Sequence, residues 1–449
     1  MTSTDLLALV VVFGEWTGLA RGLIGAPIYA GLLDIVALGV LALTLIRRFQ
    51  SGRRPISSPL PVLVFAFFVL ALVEILNPNV PSLGAGLEGF RKTAFTTVAF
   101  FIVYLAKDGD PSRFFRIIAV GSIPALLMAI RQFAWPWGVE LSIVGTSGIS
   151  PITFHSGVIL RAFSPTAGPF HLGILCVCVT VIALAQARLR SQRWIALAAL
   201  SALTLGLTLT RANMAALGVA MFAMIIASPI GGRLRSVLQA SPSGVAMVLA
   251  VLLGIGAVRL PYNIGSLPDA GGALPATTAP LPSPVNDSPT VGDVVGGVLD
   301  PVDDRNLRFR FAYWQNYIAA IAAQPLTGYG TSSAADGFDR YYAGTTSKNF
   351  APHSLFFKAA LEMGVLGLAL LLGVLASALV AGFSLVRRAP TVGLACLGIV
   401  MAIGVSGITG PMLDAYPVNL LFWATCGWLA RDGGLVSLRR SNWGPRSSA

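Results

Sequence analysis

Charged side chains are scarce in this chain: they make up 11% of its 449 residues, against 55% that are hydrophobic. That shortage excludes an ordinary soluble domain, which could not hide so much apolar surface. Histidine and cysteine are sparse too, at three and four residues. Cys176, Cys178, Cys396 and Cys426 fall inside apolar runs without metal-ligand spacing, so they read as small core hydrophobes and not as disulfides or ligands. The first apolar run lacks the basic region and the small-residue cleavage site of a secretory signal, and reads as a retained anchor. No acidic pair of Asp-x-Asp type occurs in the early outward connections, and Asp303-Asp304 reads as a solvated turn. No metal, no cofactor and no nucleic-acid partner is expected.

What is present is a succession of apolar runs of about 17 to 20 residues, enough to cross a bilayer. They are centred near residues 14, 37, 68, 97, 123, 178, 201, 219, 252, 368, 400 and 423. The first is interrupted by Glu15 and Gly18 and reads as a half-helix. The expected fold class is an all-α polytopic membrane protein of about twelve transmembrane helices, with one large extracytoplasmic loop before the tenth. On this reading residues 1–258 hold helices one to nine, residues 259–352 form the loop, and residues 353–449 hold the last three helices and a cytoplasmic tail.

Orientation follows from the basic residues. Arg47, Arg48, Arg53 and Arg54, then Lys107, Arg113 and Arg116, Arg188, Arg190 and Arg193, Arg233 and Arg235, Arg387 and Arg388, and Arg431, Arg439 and Arg440 fall on alternate connections, which marks those as cytoplasmic. The other side should be poor in basic residues. It nevertheless carries Arg91, Lys92, Arg131, Arg161, Arg211, Arg259, Arg305, Arg308 and Arg310. Arginine's planar fork matches phosphate oxygens bidentately and stays charged in a poorly hydrated site, so a lipid-linked diphosphate is the natural partner of such a cluster. Single interfacial arginines also snorkel to anchor helices.

Arg211 divides one continuous apolar run into two halves of spanning length, so it marks a tight outward hairpin or a charge at the midplane. Arg91 follows the polar break Asn77-Pro-Asn79, and Arg161 introduces the sixth span. Residues 263–308 contain no aromatic side chain and many Pro, Gly, Ser, Thr and Asp, so they read as loop. Beyond them Leu307, Phe311, Trp314, Ile318 and Ile321 recur at helical spacing, which predicts an amphipathic helix over about 307–323, ending before Gln324-Pro325. Arg310 lies beside its apolar stripe, and Arg308 flanks the other edge.

His353 begins the tenth span, where loop meets lipid, and an imidazole there can move a proton near neutral pH. His155 and His171 are less favoured. Glu362 lies about 13 Å further along an ideal helix, too far to pair with His353, and is expected to hydrogen-bond neighbouring backbone or to shape the site. Gly364 and Gly367 are read as aids to close helix packing. Asp34 and Glu74, both within spans, are hydrogen-bond partners or, in a transporter, coupling sites. Trp135-Pro-Trp137 and Tyr341-Tyr342 fit an aromatic belt, though such rings could also stack on sugars.

The run Arg310-Phe-Ala-Tyr-Trp314, then Pro325-Leu-Thr-Gly328-Tyr-Gly330, then His353-Ser-Leu and Glu362-Met-Gly364-Val-Leu-Gly367 resembles the signature of the O-antigen ligase and O-antigen polymerase superfamily. Asn77-Pro-Asn79 to Arg91, Arg161-Ala-Phe-Ser and Leu209-Thr-Arg211 resemble family positions more weakly. The resemblance implies a metal-independent, inverting glycosyltransferase of the C type, acting on the outer face of a bacterial inner membrane. It implies an undecaprenyl-diphosphate-linked glycan as donor, a glycan or lipid-linked acceptor and membrane lipids as partners, and a chain-length regulator as a further one. His353 takes the place of the family's essential loop histidine. Arg211 and Arg310, with Arg91 and Arg161, take that of the diphosphate binders; Arg308 is counted with them as a candidate from its place on the amphipathic helix and not from the resemblance. Many members have His-Asn where this chain has His353-Ser354, which puts an amide contact there in doubt.

Within the family a polymerase of O-antigen or exopolysaccharide is favoured, with a ligase that transfers polymer to lipid A core as the alternative. A lipid-linked glycan flippase or transporter is the alternative of another class, although charge concentrates at one face and no internal repeat is visible. No separate domain is seen after the last span, which disfavours a protein-glycosylating member.

Overall fold

A computed structural model describes residues 1–24, 26–49, 58–140, 152–154, 157–159, 161–187, 192–228, 314–315, 317–331, 353–410 and 412–432. The expected span near residue 252, the start of the amphipathic helix with Arg308 and Arg310, and His155, Asp303-Asp304 and Tyr341-Tyr342 lie outside them.

The described backbone is helical, with one short antiparallel ribbon, Ile152–Phe154 against Gly157–Ile159. Each other expected apolar run falls on helix. By length and composition four helices can cross a membrane alone: Ile28–Phe49, Pro111–Ala134, Pro169–Ala187 and Leu355–Arg388. Leu60–Leu76, Phe95–Leu105, Arg211–Ala227 and Pro390–Ser406 are shorter apolar helices. The first run is broken as its polar residues suggested. Ser3–Gly14 and Thr17–Ile24 meet at 57°, with Glu15 buried at the joint and bonded by the Ser122 hydroxyl at 2.5 Å.

One continuous core of small and branched side chains joins the helices. It includes all four cysteines, free and buried. On the periphery Ile28, Leu32, Ile35, Leu38 and Ile46 of one helix are exposed together, an apolar outer face suited to lipid and not to water. Arg47 and Arg48, and Arg387 and Arg388, sit in the last turns of their helices, where a cation also complements the carbonyl end of the dipole.

The Leu355–Arg388 helix holds the key to the outward end. Its 34 residues extend about 51 Å, well beyond the roughly 30 Å of a bilayer's apolar core. At Gly364 the backbone leaves helical geometry with φ 65° and ψ −168°. Residues 365–388 below the break are long enough to span by themselves, which lifts residues 355–363 toward the surface.

A break strands backbone groups that helix would have paired, and apolar surroundings make stranded groups costly. The turn Pro325–Gly330 receives them. Tyr329 N donates to Leu361 O at 2.7 Å, Gly330 N to Glu362 O at 2.9 Å, and Val365 N to Pro325 O at 2.7 Å. The same turn is tied to the residue 77–79 break, where the Asn79 side-chain amide donates to Gln324 Oε1 at 2.9 Å and that of Asn77 to Gly328 O at 3.4 Å.

Gly364 therefore does something other than the helix packing expected of it. A Cβ there would sit 2.1 Å from Leu326 O, at a φ that L-residues avoid. The nearest atoms to a Cβ at Gly367 belong to its own helix, at Met363 and Ala359.

Helical backbone at 314–315 and 317–323 follows the expected amphipathic helix to its end. Tyr317 and Ala320 are buried, with Trp314 and Ile321 packed against them and against Phe357, whereas Ile318 of the expected stripe is exposed. The buried face is thus turned about one residue toward Tyr317 from the one the apolar spacing indicated.

Gly364→Ala should lower the thermal midpoint of the purified protein sharply, by at least the roughly 1–3 kcal/mol of a disallowed backbone conformation. Gly367→Ala should cost less. A thermal-shift series in detergent that finds the two equal would rule out this account of the break.

Candidate functional site

Arg211 follows a two-residue break between two helices, as a charge at a tight connection would. Gln192–Thr208 ends, Leu209 takes φ 51°, and Arg211 opens the helix that runs to Ala227. A branched side chain in the left-handed region is strained backbone, and it folds the chain back within two residues. Arg161 reaches the same turn: its Nε donates to Thr208 O at 2.8 Å, and Ala162 N donates to Leu207 O at 3.1 Å. A guanidinium at this carbonyl end complements the helix dipole and ties Arg161 beside Arg211's hairpin.

His353 is exposed, immediately before Ser354, whose hydroxyl caps the long helix at Phe357 N. The capping turn is also anchored laterally, by Leu355 N to Gly407 O at 2.7 Å and by the Ser354 hydroxyl to the same carbonyl at 3.4 Å. Next to Gly407, the Ser406 hydroxyl donates to Asn213 Oδ1 at 2.8 Å, and the Asn213 amide donates to Phe170 O at 3.0 Å. The histidine turn, the arginine hairpin and the start of the Pro169–Ala187 helix thus share one chain of hydrogen bonds. Ser354 thus serves as helix cap and tether.

Arg91 joins from the other side. It lies in the last turn of Leu83–Thr93 and its Nε bonds Asp34 Oδ2 at 2.5 Å, with the arginine 39% and the aspartate 15% exposed. Two residues on, the Thr93 hydroxyl donates to Glu362 Oε2 at 2.8 Å. Asp34 is accordingly a hydrogen-bond partner, as is Glu74, whose Oε2 accepts from the Asn77 amide at 2.6 Å. Glu362 is buried; it accepts from the Thr93 side chain and lies 3.9 Å from Lys358 Nζ, so these partners are side chains and not the neighbouring backbone expected for it.

Sequence reading missed Lys358 and Asp414. The Lys358 ammonium is almost wholly buried and pairs with the Asp414 carboxylate, which is 29% exposed; His171 lies against Asp414. A signal for Lys358 was available: it is one of four lysines in the chain and stands four residues before Glu362 in an apolar helix, a spacing that faces the two together. Asp414 gave none, since its partner comes from a helix more than fifty residues earlier. Arg131 also differs from expectation. Instead of joining an anion site it is committed to the buried Glu140, at 2.5 and 2.8 Å.

Among the described residues His353, Arg211, Arg161 and Arg91 are thus linked through one framework of hydrogen bonds. The O-antigen ligase family model matches residues 195–372, a stretch that contains Arg211, Arg310, His353, Glu362 and Gly364. The match covers 178 of the 449 residues and supports, over that stretch, the resemblance to the O-antigen ligase and polymerase superfamily. A search of curated proteins found no significant match to the chain.

Removing one member of a buried ion pair leaves the other uncompensated, at about 3–5 kcal/mol, whereas removing both is far less costly. Lys358→Met and Asp414→Asn should each destabilise the protein, and the double variant should recover more than half of the loss. Thermal unfolding of the three variants tests this, and additive losses would show that the pair is not coupled.

Proposed function

We propose that the protein is a metal-independent inverting glycosyltransferase that moves a glycan from an undecaprenyl-diphosphate carrier to a sugar hydroxyl at the outer face of the inner membrane. The observation that carries this reading is the tether Ser354–Gly407–Ser406–Asn213, which joins the histidine turn to the arginine hairpin. An exposed imidazole and fixed guanidinium groups on one framework are the two requirements of the reaction.

In this mechanism His353 accepts the proton of the acceptor hydroxyl as its oxygen attacks the anomeric carbon from the side opposite the diphosphate. The carbon–oxygen bond to the carrier breaks, and its electron pair leaves on the diphosphate. Arg211 and Arg310 stabilise the charge that develops there, with Arg161, Arg91 and Arg308 contributing to the same field. Arg91 already holds a carboxylate, so an incoming diphosphate would exchange with Asp34 at this position. Glu362 and Lys358 keep the histidine-bearing turn in place. The acceptor is a second carrier-linked repeat, which makes the protein a polymerase of O-antigen or exopolysaccharide. A chain-length regulator would act on such an enzyme from outside the site.

His353→Ala and Arg211→Ala are expected to leave the protein folded and inserted, yet to reduce transfer by at least about a hundredfold, the usual loss of a general base or of a charge-stabilising group. Reconstitution with carrier-linked repeat units checks this, and product of normal length from both variants refutes the catalytic assignment. The same assay without lipid A core separates the two family activities. Chain lengthening identifies a polymerase, and transfer that requires lipid A core identifies a ligase.

A further inference from the structure

Trp135 and Trp137 stand out at the end of the Ile123–Ala134 helix. They are 77% and 48% exposed, and among the described residues no other tryptophan is exposed. Both are held by one device. Arg131 Nη1 donates to Trp135 O at 2.8 Å, and its two Nη atoms grip both oxygens of Glu140, a residue with no exposed surface. Glu140 Oε2 also accepts from Trp137 N at 2.7 Å. The Arg131 Cζ lies 3.8 Å from the centre of the Trp137 ring and so covers one face of the indole.

A buried ion pair is poor value as a source of stability, so its contribution here is fixed geometry. A ring that is already immobilised lowers the entropy cost of stacking a ligand on it, a gain that anchoring in lipid does not require. Arg131 offers no charge to a ligand, because Glu140 neutralises it. Trp137 is thus a fixed aromatic face, with the exposed Trp135 ring on the same turn, and suits a neutral ring with C–H groups on one face. It also adjoins the arginine hairpin: Gln132, next to Arg131, accepts from Phe163 N at 2.8 Å and Ser164 N at 2.9 Å, which fixes the segment that carries Arg161.

We propose that Trp135 and Trp137, clamped by Arg131 and Glu140, form a stacking subsite for a neutral sugar ring of the transferred glycan, beside the diphosphate-binding arginines. This rests on the glycosyltransferase reading. The subsite fixes where the sugars lie relative to the arginines and takes no part in proton transfer.

The test uses the full chain in nanodiscs and, as probe, carrier-linked glycan freed of its diphosphate and prenyl chain by mild acid. Isothermal titration should show that Trp137→Ala and Trp137→Leu bind the freed glycan about tenfold more weakly, while Trp137→Phe stays within about threefold and Arg211→Ala matches the parent. Trp137→Leu keeps the affinity for lipid and removes most of the stacking, so parental glycan affinity in that variant overturns the proposal. So does quenching of Trp135 and Trp137 fluorescence by brominated phosphatidylcholine, read as the difference between the parent and the Trp135→Phe, Trp137→Phe double variant. Failure here with His353→Ala still inactive removes the subsite and leaves the enzyme reading intact. Normal transfer by His353→Ala removes the enzyme reading itself.

Discussion

Three hydrogen bonds between the Pro325–Gly330 turn and the break at Gly364 are the constraint on which the outward end depends. A span of 34 residues with a non-helical joint would leave unpaired amide and carbonyl groups beside lipid, and the turn removes that cost. Once the turn is seated, its other contacts follow. Asn77 and Asn79 are drawn to Gly328 and Gln324, Thr331 reaches Gly86, and the helix that bears Arg91 is fixed above Glu362. The positioning of the histidine turn is thus a by-product of satisfying backbone groups.

The framework divides its charged residues into two kinds. Lys358, Glu362 and Asp414 are inward and mutually compensated, and Arg131 is spent on Glu140. Arg211 and Arg161 stand at helix termini around a strained turn, and Arg91 keeps a carboxylate partner. Composition alone treats all of these as one outward cationic excess. The ion pairs show that the excess is smaller and more local than the count of arginines suggests, which narrows the region where an anion would be held.

Much of the fold was legible in the sequence because it follows from apolar run length. The Arg211 hairpin is an example: a single charge in a run too long for one span had to sit at a turn or deep in the membrane, and cost favoured the turn. The joint at Glu15 was legible for the same reason. The break at Gly364 was not, since Gly364 and Gly367 look alike in sequence and only the arrival of a turn from some forty residues earlier distinguishes them. Nor was the pairing of Arg91 with Asp34 or of Lys358 with Asp414, because each joins segments more than fifty residues apart and periodicity carries no information at that range. Arg310, which the family resemblance singles out, and Arg308, read from the amphipathic pattern, lie outside the described residues.

The joint at Gly364 has a mechanical consequence. The short piece above it is bolted to its neighbours through Gly407, Asp414 and Thr93. The first residue of the rod below, Val365, is bonded to Pro325 in its turn. Any tilt imposed on that rod would therefore be handed to the 325–330 turn and, through Gln324, to Asn79.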